Sequence, residues 1–284
     1  MRIFVAGATG AIGRLLVPRL LAAGHQVTGT SRTERGATRV RDSGADAVIA
    51  DAFDRAGLYR ALRDSEPDVV VHQLTALSEG DLAANSRIRV EGTRNLVDAA
   101  RAAGVTRMIA QSISWAYEPG TGPADERTPL DLGATGPRAS TVAGVRALEE
   151  AAAELPVSVV LRCGTLYGPG TWYYPGELMA RQLSEGRLEA TEAVSSFLHV
   201  EDAAAAASAA LGWPSGAVNV VDDEPAPASE WVPVLAKALG QPQPVTNNAA
   251  VPGWARGASN AFARHDLGWS PVWPSWRTGF PTLD

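Results

Sequence analysis

The stretch RIFVAGATGAIGRLLVPRLLAAGH, residues 2–25, decides the fold. Residues 2–7 are a short apolar run that stops at glycine, which predicts a buried strand. After it the apolar residues recur at about 3.6-residue spacing, which predicts a helix. The turn between them carries Gly7, Gly10 and Gly13. A glycine triplet means little alone, but closing a strand and opening a helix it has a physical reading. Gly7 permits the tight turn, Gly10 lets backbone approach a pyrophosphate, and Gly13 lets the helix pack on the strand. The helix start then offers unpaired N–H groups to phosphate. Without a ligand, the same pattern is a glycine-rich turn and nothing more.

Working outward, QVTGTSR (26–32), DAVIAD (46–51) and DVVVHQL (68–74) read as further strands between helical segments. Near-continuous valine runs predict a parallel sheet covered on both faces. Strands alternating with helices predict an α/β fold, a doubly wound parallel sheet of Rossmann type. The end of the second strand bears on the cofactor. An acidic residue there would bind the ribose 2′-hydroxyl of NAD. This chain has Thr30, Ser31 and Arg32, with Arg35 behind. Arginine pairs with a 2′-phosphate in a forked, charge-assisted way, so NADP is the expected cofactor. The alternative is that Arg32 is a solvated loop charge.

Composition narrows the function classes. The 284 residues are 45% hydrophobic and 20% charged, with net charge −6 and no basic block. Nucleic acid is therefore not an expected partner. No apolar run reaches the ~18 residues of a membrane span, and the opening apolar run breaks at glycine with no cleavage region behind it. A cytoplasmic protein acting on a small molecule is the expectation. The single cysteine, Cys163, excludes an internal disulfide, and four scattered histidines show no metal-ligand spacing.

With these motifs in place, the chain resembles the extended short-chain dehydrogenase/reductases, the NAD-dependent epimerase/dehydratase family. The resemblance runs through GATGAIG, DAFD (51–54), VVVHQLTA (69–76), VEGTRNLVDAARAAGV (90–105), LRCGTLYGPGT (161–171), FLHVEDAAAAASAAL (197–211) and LGWSPVWPSW (267–276). It implies a dinucleotide-binding core over 1–166, with 197–221 returning to it. A smaller substrate lobe would comprise 167–196 and 222–284. It implies cofactor contacts from Gly7, Thr9, Gly10, Ala11, Ile12, Gly13, Ser31, Arg32, Asp51, Ala52, Leu74, Thr75, Ala76, Gln111 and Cys163. Trp115, Trp172, Tyr173 and Tyr174 would form an aromatic substrate wall, and a homodimer would form through alanine-rich helices at about 90–104 and 140–153.

The family's chemistry usually rests on a Tyr-x-x-x-Lys pair, the tyrosine exchanging a proton with substrate and the lysine holding the ribose. A glutamate commonly follows the lysine by four. Anchoring on Glu149 puts the lysine position at Val145 and the tyrosine position at Thr141. None of the five tyrosines has lysine four residues later, and the only lysine is Lys237. The usual serine position falls on Ile113, between Ser112 and Ser114. Tyr167, Tyr117, Ser114 and Thr141 remain as candidate catalytic residues, with Thr141 expected to matter least because its hydroxyl is a weak acid. Three function classes stay open: an NADP-dependent reductase of a carbonyl, enone or imine, a non-redox epimerase, dehydratase or cyclase, and an inactive NADP-sensing module.

Overall fold

The computed structural model describes residues 1–77 and 81–283. The strands are β1 (Arg2–Ala6), β2 (Gln26–Ser31), β3 (Asp46–Ile49), β4 (Val69–His72), β5 (Arg107–Ile113), β6 (Val157–Cys163), β7 (Thr165–Tyr167), β8 (Val194–Ser195), β9 (Phe197–His199), β10 (Gly216–Val220) and β11 (Ala226–Pro227). Seven of them make one sheet in the order β10-β6-β5-β4-β1-β2-β3. β1 pairs in parallel with β2 and β4, β2 with β3, and β4 with β5. The chain winds from β1 outward to β3, then returns to build the other half from β4. The order therefore reverses between β1 and β4, the point where open α/β sheets take ligands beyond their strand ends.

Helices fill the connections: α1 (Gly13–Ala22), α2 (Glu34–Asp42), α3 (Arg55–Ser65), α4 (Leu82–Arg87), a π-helical turn at Ile88–Gly92, α5 (Thr93–Ala102) and α6 (Gly136–Ala152). The Thr33 hydroxyl caps α2 by accepting from the Gly36 N–H, and the Asp54 carboxylate caps α3 by accepting from Gly57 N–H. Such caps are worth about 1 kcal/mol each. Val69, Val70 and Val71 are almost wholly buried, which is why β4 reads as an unbroken valine run. One core cluster joins Phe4 and Val70 to Leu58 and Leu62 of α3, Leu96 and Val97 of α5, and Leu148 of α6.

The alanines proposed for a dimer face have another use. Ala99, Ala100, Ala151 and Ala152 are buried in this same cluster, where small side chains let helices approach. Arg94 of α5 pairs with Glu154 just beyond α6. Those four alanines pack inside one chain, while Ala102 and Ala153 at the ends of the same two helices are exposed.

The chain divides into two compact units, one of residues 1–112, 134–161 and 204–217, the other of 113–133, 162–203 and 218–284. These bounds differ from those drawn on the sequence. Residues 113–133 cluster with the second unit because a bridge joins Ala124 to Ala258 and the Asn219 amide donates to the Ala124 carbonyl. No helix among the described residues is long and apolar enough to cross a membrane.

Candidate functional site

In the first unit, the turn from β1 to α1 is held by contacts that leave no room for side chains. Gly7 has φ +93°, and a Cβ on it would stand 2.6 Å from the Gln73 carbonyl oxygen. A Cβ on Gly13 would stand 2.2 Å from the Gly7 carbonyl oxygen. Gly10 is different. Its Cβ would meet one protein atom, the Gly7 oxygen, at an ordinary 3.4 Å. The protein itself does not require glycine there, which fits a cradle that a phosphate approaches. Among the described residues no side chain caps α1, and with the Arg14 and Leu15 N–H groups already donating to the Gly10 and Ile12 carbonyls, the N–H groups of Ala11, Ile12 and Gly13 are the ones open to an anion. Thr9 and Ala11 are half-buried in this turn, and Ile12 is buried. These features fit a dinucleotide's pyrophosphate.

The Thr30 hydroxyl accepts from the Gly7 N–H at 3.1 Å, tying the end of β2 to the turn. Ser31 is buried, and its hydroxyl accepts from the Thr33 N–H and donates to the Thr33 carbonyl. That hydroxyl is used in a local turn before any ligand arrives. Arg32 and Arg35 are exposed and have no carboxylate partner among the described residues. After β3, one Asp51 carboxylate oxygen accepts from the Phe53 N–H, and the Ala52 carbonyl accepts from the Asn95 side chain.

Beyond β4 the structure shows a group that the sequence reading passed over. His72 is fully buried, and burial followed by the nearby Arg89 charge pushes its pKa down to about 4. It is neutral. Nδ1 accepts from the Leu74 N–H, so Nε2 carries the proton and donates to Thr93 Oγ1 at 2.8 Å. Thr93 in turn donates to the Ile88 carbonyl. Farther along, the Ala76 N–H donates to Asn85, and Thr75 is exposed.

Arg89, in the π-helical turn, is only 7% exposed. Its side chain crosses α6 at Gly144, where a Cβ would be 3.5 Å from Arg89 Cβ and Cδ. Burial lowers its pKa to about 10, opposed by the attraction of Glu149. Among the described residues its guanidinium makes no hydrogen bond or ion pair. Glu149 accepts from the Ser112 hydroxyl at 2.7 Å. Thr141 and Val145 are buried on α6, and Gln111 is half-buried on β5. A faint sequence signal for Arg89 existed, an arginine between Ile88 and Val90 on a helix with a buried face. Arginine's ordinary preference for solvent hid it.

The remaining candidates lie in the second unit, and most are structural there. Tyr167 is wholly buried against Phe197, His199 and Phe280, edge-on to each ring. Among the described residues its hydroxyl has no hydrogen-bond partner, and burial, aided by Asp222 and Asp202, pushes its pKa up. That environment opposes an acid role. Tyr117 is also buried, its hydroxyl donating to Asn219 and its ring lying 4.9 Å from the Arg162 guanidinium. Tyr173 packs in the core with Phe197 and Trp231 rather than forming a substrate wall. Trp172 and Tyr174 pack against that core half-buried, and Trp115 is 37% exposed. Ser114 is buried, its N–H donating to the Cys163 carbonyl. The Cys163 thiol is pushed up to about 12 by burial, so it is no nucleophile.

Comparison with known proteins agrees with this geometry. The family model described as "NAD dependent epimerase/dehydratase family" matches residues 3–221. A Streptomyces protein, "3-diazoavenalumate denitrifying reductase", is 45% identical over 304 aligned positions, which cover 98% of this chain and 99% of that one. Among solved structures, the UDP-glucose 4-epimerase of Thermus thermophilus in complex with NAD aligns with TM-score 0.77 and 24% identity, covering 100% of this chain and 98% of its own. The Thermotoga maritima UDP-glucose 4-epimerase with UDP-glucose aligns with TM-score 0.78 and 21% identity, covering 100% and 97%. At that identity the two epimerases speak to fold alone. The glycine turn, the parallel sheet and the family match together establish that the chain belongs to the NAD dependent epimerase/dehydratase family.

Proposed function

We propose that the protein is an NADPH-dependent reductase whose substrate accepts hydride without a proton from the enzyme, an aryl diazonium ion that loses N2. The observation that carries this reading is the α6 helix. It has threonine at position 141 and valine at position 145, where the family's proton-transfer pair would stand. A carbonyl reductase without that pair forfeits the 10²–10⁴ in rate typical of general acid help. The 45% identical relative is a reductase named for a diazo substrate, and that chemistry removes the need. When bound, NADPH supplies a hydride: a C–H bond forms at the ring carbon, the C–N bond breaks, N2 leaves with the bonding pair, and the nicotinamide is oxidised. The overall balance is ArN2+ plus NADPH giving ArH, N2 and NADP+, with no proton consumed.

The chain's part is then to bind and orient. Gly7, Gly10 and Gly13 with the start of α1 would hold the pyrophosphate. Arg32, exposed and without a carboxylate partner, would take the 2′-phosphate and favour NADP over NAD. The aryl diazonium ion is favoured here over a carbonyl, enone or imine because it explains the lost pair.

The test uses an aryl diazonium salt with NADPH deuterated at the transferable position, alongside unlabelled NADPH in D2O. Deuterium at the vacated ring carbon in the first case only, with N2 released and NADPH consumed beyond the protein-free rate, is the expected result. Deuterium arriving from solvent, or no enzyme-dependent oxidation of NADPH, would sink the reading. The latter outcome would favour the non-redox or cofactor-sensing alternatives.

A further inference from the structure

We propose that Arg89 holds the nicotinamide-side ribose of the cofactor, the task a lysine at position 145 would otherwise perform. The inference rests on the cofactor reading above and goes beyond it by assigning a cofactor-binding residue. A dinucleotide with its pyrophosphate on the Gly7–Gly13 turn, and its adenosine half toward Arg32 and Asp51, runs over β2 and β3. Its other half must then lie over the ends of β4 and β5, across the point where the strand order reverses. His72 ends β4 and Ser112 lies one residue from the end of β5. Arg89 is within electrostatic reach of His72 and of Glu149, the group that Ser112 hydrogen-bonds.

Three observations make Arg89 more than a buried structural charge. It is more than nine-tenths buried, yet it makes no hydrogen bond or ion pair among the described residues. Leaving a buried charge so is costly, and proteins ordinarily pair it. It lies across α6 at Gly144, the residue before the lysine position, with its Cβ and Cδ at 3.5 Å from where a Gly144 Cβ would stand, so its side chain passes in van der Waals range of that helix position. And it sits in a π-helical turn, a local distortion frequent at functional sites, held by the Thr93 hydroxyl on the Ile88 carbonyl. A guanidinium there offers several donors to the two ribose hydroxyls. Unlike lysine beside tyrosine, it has no phenol to activate, which suits a reaction that needs no acid.

The experiment titrates wild type, Arg89→Met and Arg89→Lys with NADPH, with NADH and with 2′,5′-ADP, which carries the adenosine half alone. Methionine keeps much of the volume and removes the buried charge, so the ligand-free unfolding midpoint should hold or rise. Arg89→Met should bind NADPH about 10- to 100-fold more weakly, the range for hydrogen bonds from a charged group. Its affinity for 2′,5′-ADP should stay within about twofold, and Arg89→Lys should recover part of the NADPH loss. Equal losses for both ligands, or no loss for either, would overturn the assignment. A wild type that takes up neither NADPH nor NADH would overturn the cofactor reading itself, and that result appears before any variant is compared.

Discussion

His72 donates from Nε2 to the Thr93 hydroxyl at 2.8 Å, and Thr93 passes a hydrogen bond to the Ile88 carbonyl. A buried strand end thus holds open the π-helical turn that carries Arg89. The arrangement requires neutral imidazole, because Nδ1 accepts from the Leu74 N–H.

It follows that this histidine contributes a pH dependence to stability. Its folded pKa is lowered from 6.5 to about 4 by burial and by Arg89. Between those values the unfolded chain binds the extra proton, so stability rises with pH across the window. The contribution is complete above pH 6.5 and is lost as pH falls toward 4, at about 1.4 kcal/mol per unit, or about 3 kcal/mol in all. Chemical denaturation of wild type and His72→Asn at pH 7 and pH 4 isolates it. The stability difference between them should shrink by about that amount at pH 4, and a difference independent of pH would refute the claim.

The glycine turn predicts a separation of folding from binding. Gly13→Ala drives a methyl into the Gly7 carbonyl, 2.2 Å from its ideal position, and should destabilise by about 1–3 kcal/mol or more, the usual cost of overpacking. Gly10→Ala meets no such wall. It should leave the unfolding midpoint nearly unchanged while weakening dinucleotide binding at least tenfold, because the methyl stands where a phosphate would approach. Thermal unfolding and cofactor titration of both variants check this. Similar behaviour of the two in both measurements would contradict it.

How much of this was legible in the sequence differs between sheet and site. β1 and β4 were readable because buried parallel strands write themselves as apolar runs, β2 and β3 from their place between helical segments, and Gly7 and Gly13 because tight packing permits no side chain. The sequence reading placed Tyr173 in a substrate wall and Tyr167 among the candidate acids, and the structure buries both. A loop has no periodicity to say which way its rings turn, and here Tyr167 and Tyr173 turn into a core with Phe197 and Phe280. Arg89 was missed for the converse reason: nothing in the pattern of apolar neighbours separates a buried arginine from a solvated one. The absence of tyrosine and lysine on α6 is visible in the sequence, but nothing in the residues themselves says what replaces them.

Arg32 offers a prediction on cofactor choice. It is exposed and without a carboxylate partner among the described residues, so removing it should change the rest of the protein little. Arg32→Ala should weaken NADPH binding by roughly tenfold through loss of a charge-assisted contact to the 2′-phosphate, and leave NADH affinity unchanged. Titration of both cofactors against both proteins decides it. Equal affinities of the wild type for NADPH and NADH, or an equal loss of both in the variant, would remove the argument for NADP.

The hydroxyl groups of Tyr167, Tyr117 and Thr141 are each expected to be dispensable for turnover. The Tyr167 hydroxyl is buried with no hydrogen-bond partner among the described residues, so Tyr167→Phe should raise stability by about 1 kcal/mol, the desolvation penalty it relieves. Tyr117→Phe removes the hydroxyl that Asn219 accepts and should cost about 1–2 kcal/mol in stability. Thr141→Val, nearly isosteric on a buried helix face, should have a small effect on folding. In none of the three should turnover of a diazonium substrate fall more than about tenfold, because hydride addition with loss of N2 leaves no developing oxyanion to protonate. A general acid would show itself differently, as a loss of 10²–10⁴ in turnover with cofactor affinity intact. Single-turnover rates for the three variants, with NADPH affinity measured separately, distinguish the cases. A loss of that size in any one of them would restore acid catalysis to this site and count against the diazo reading.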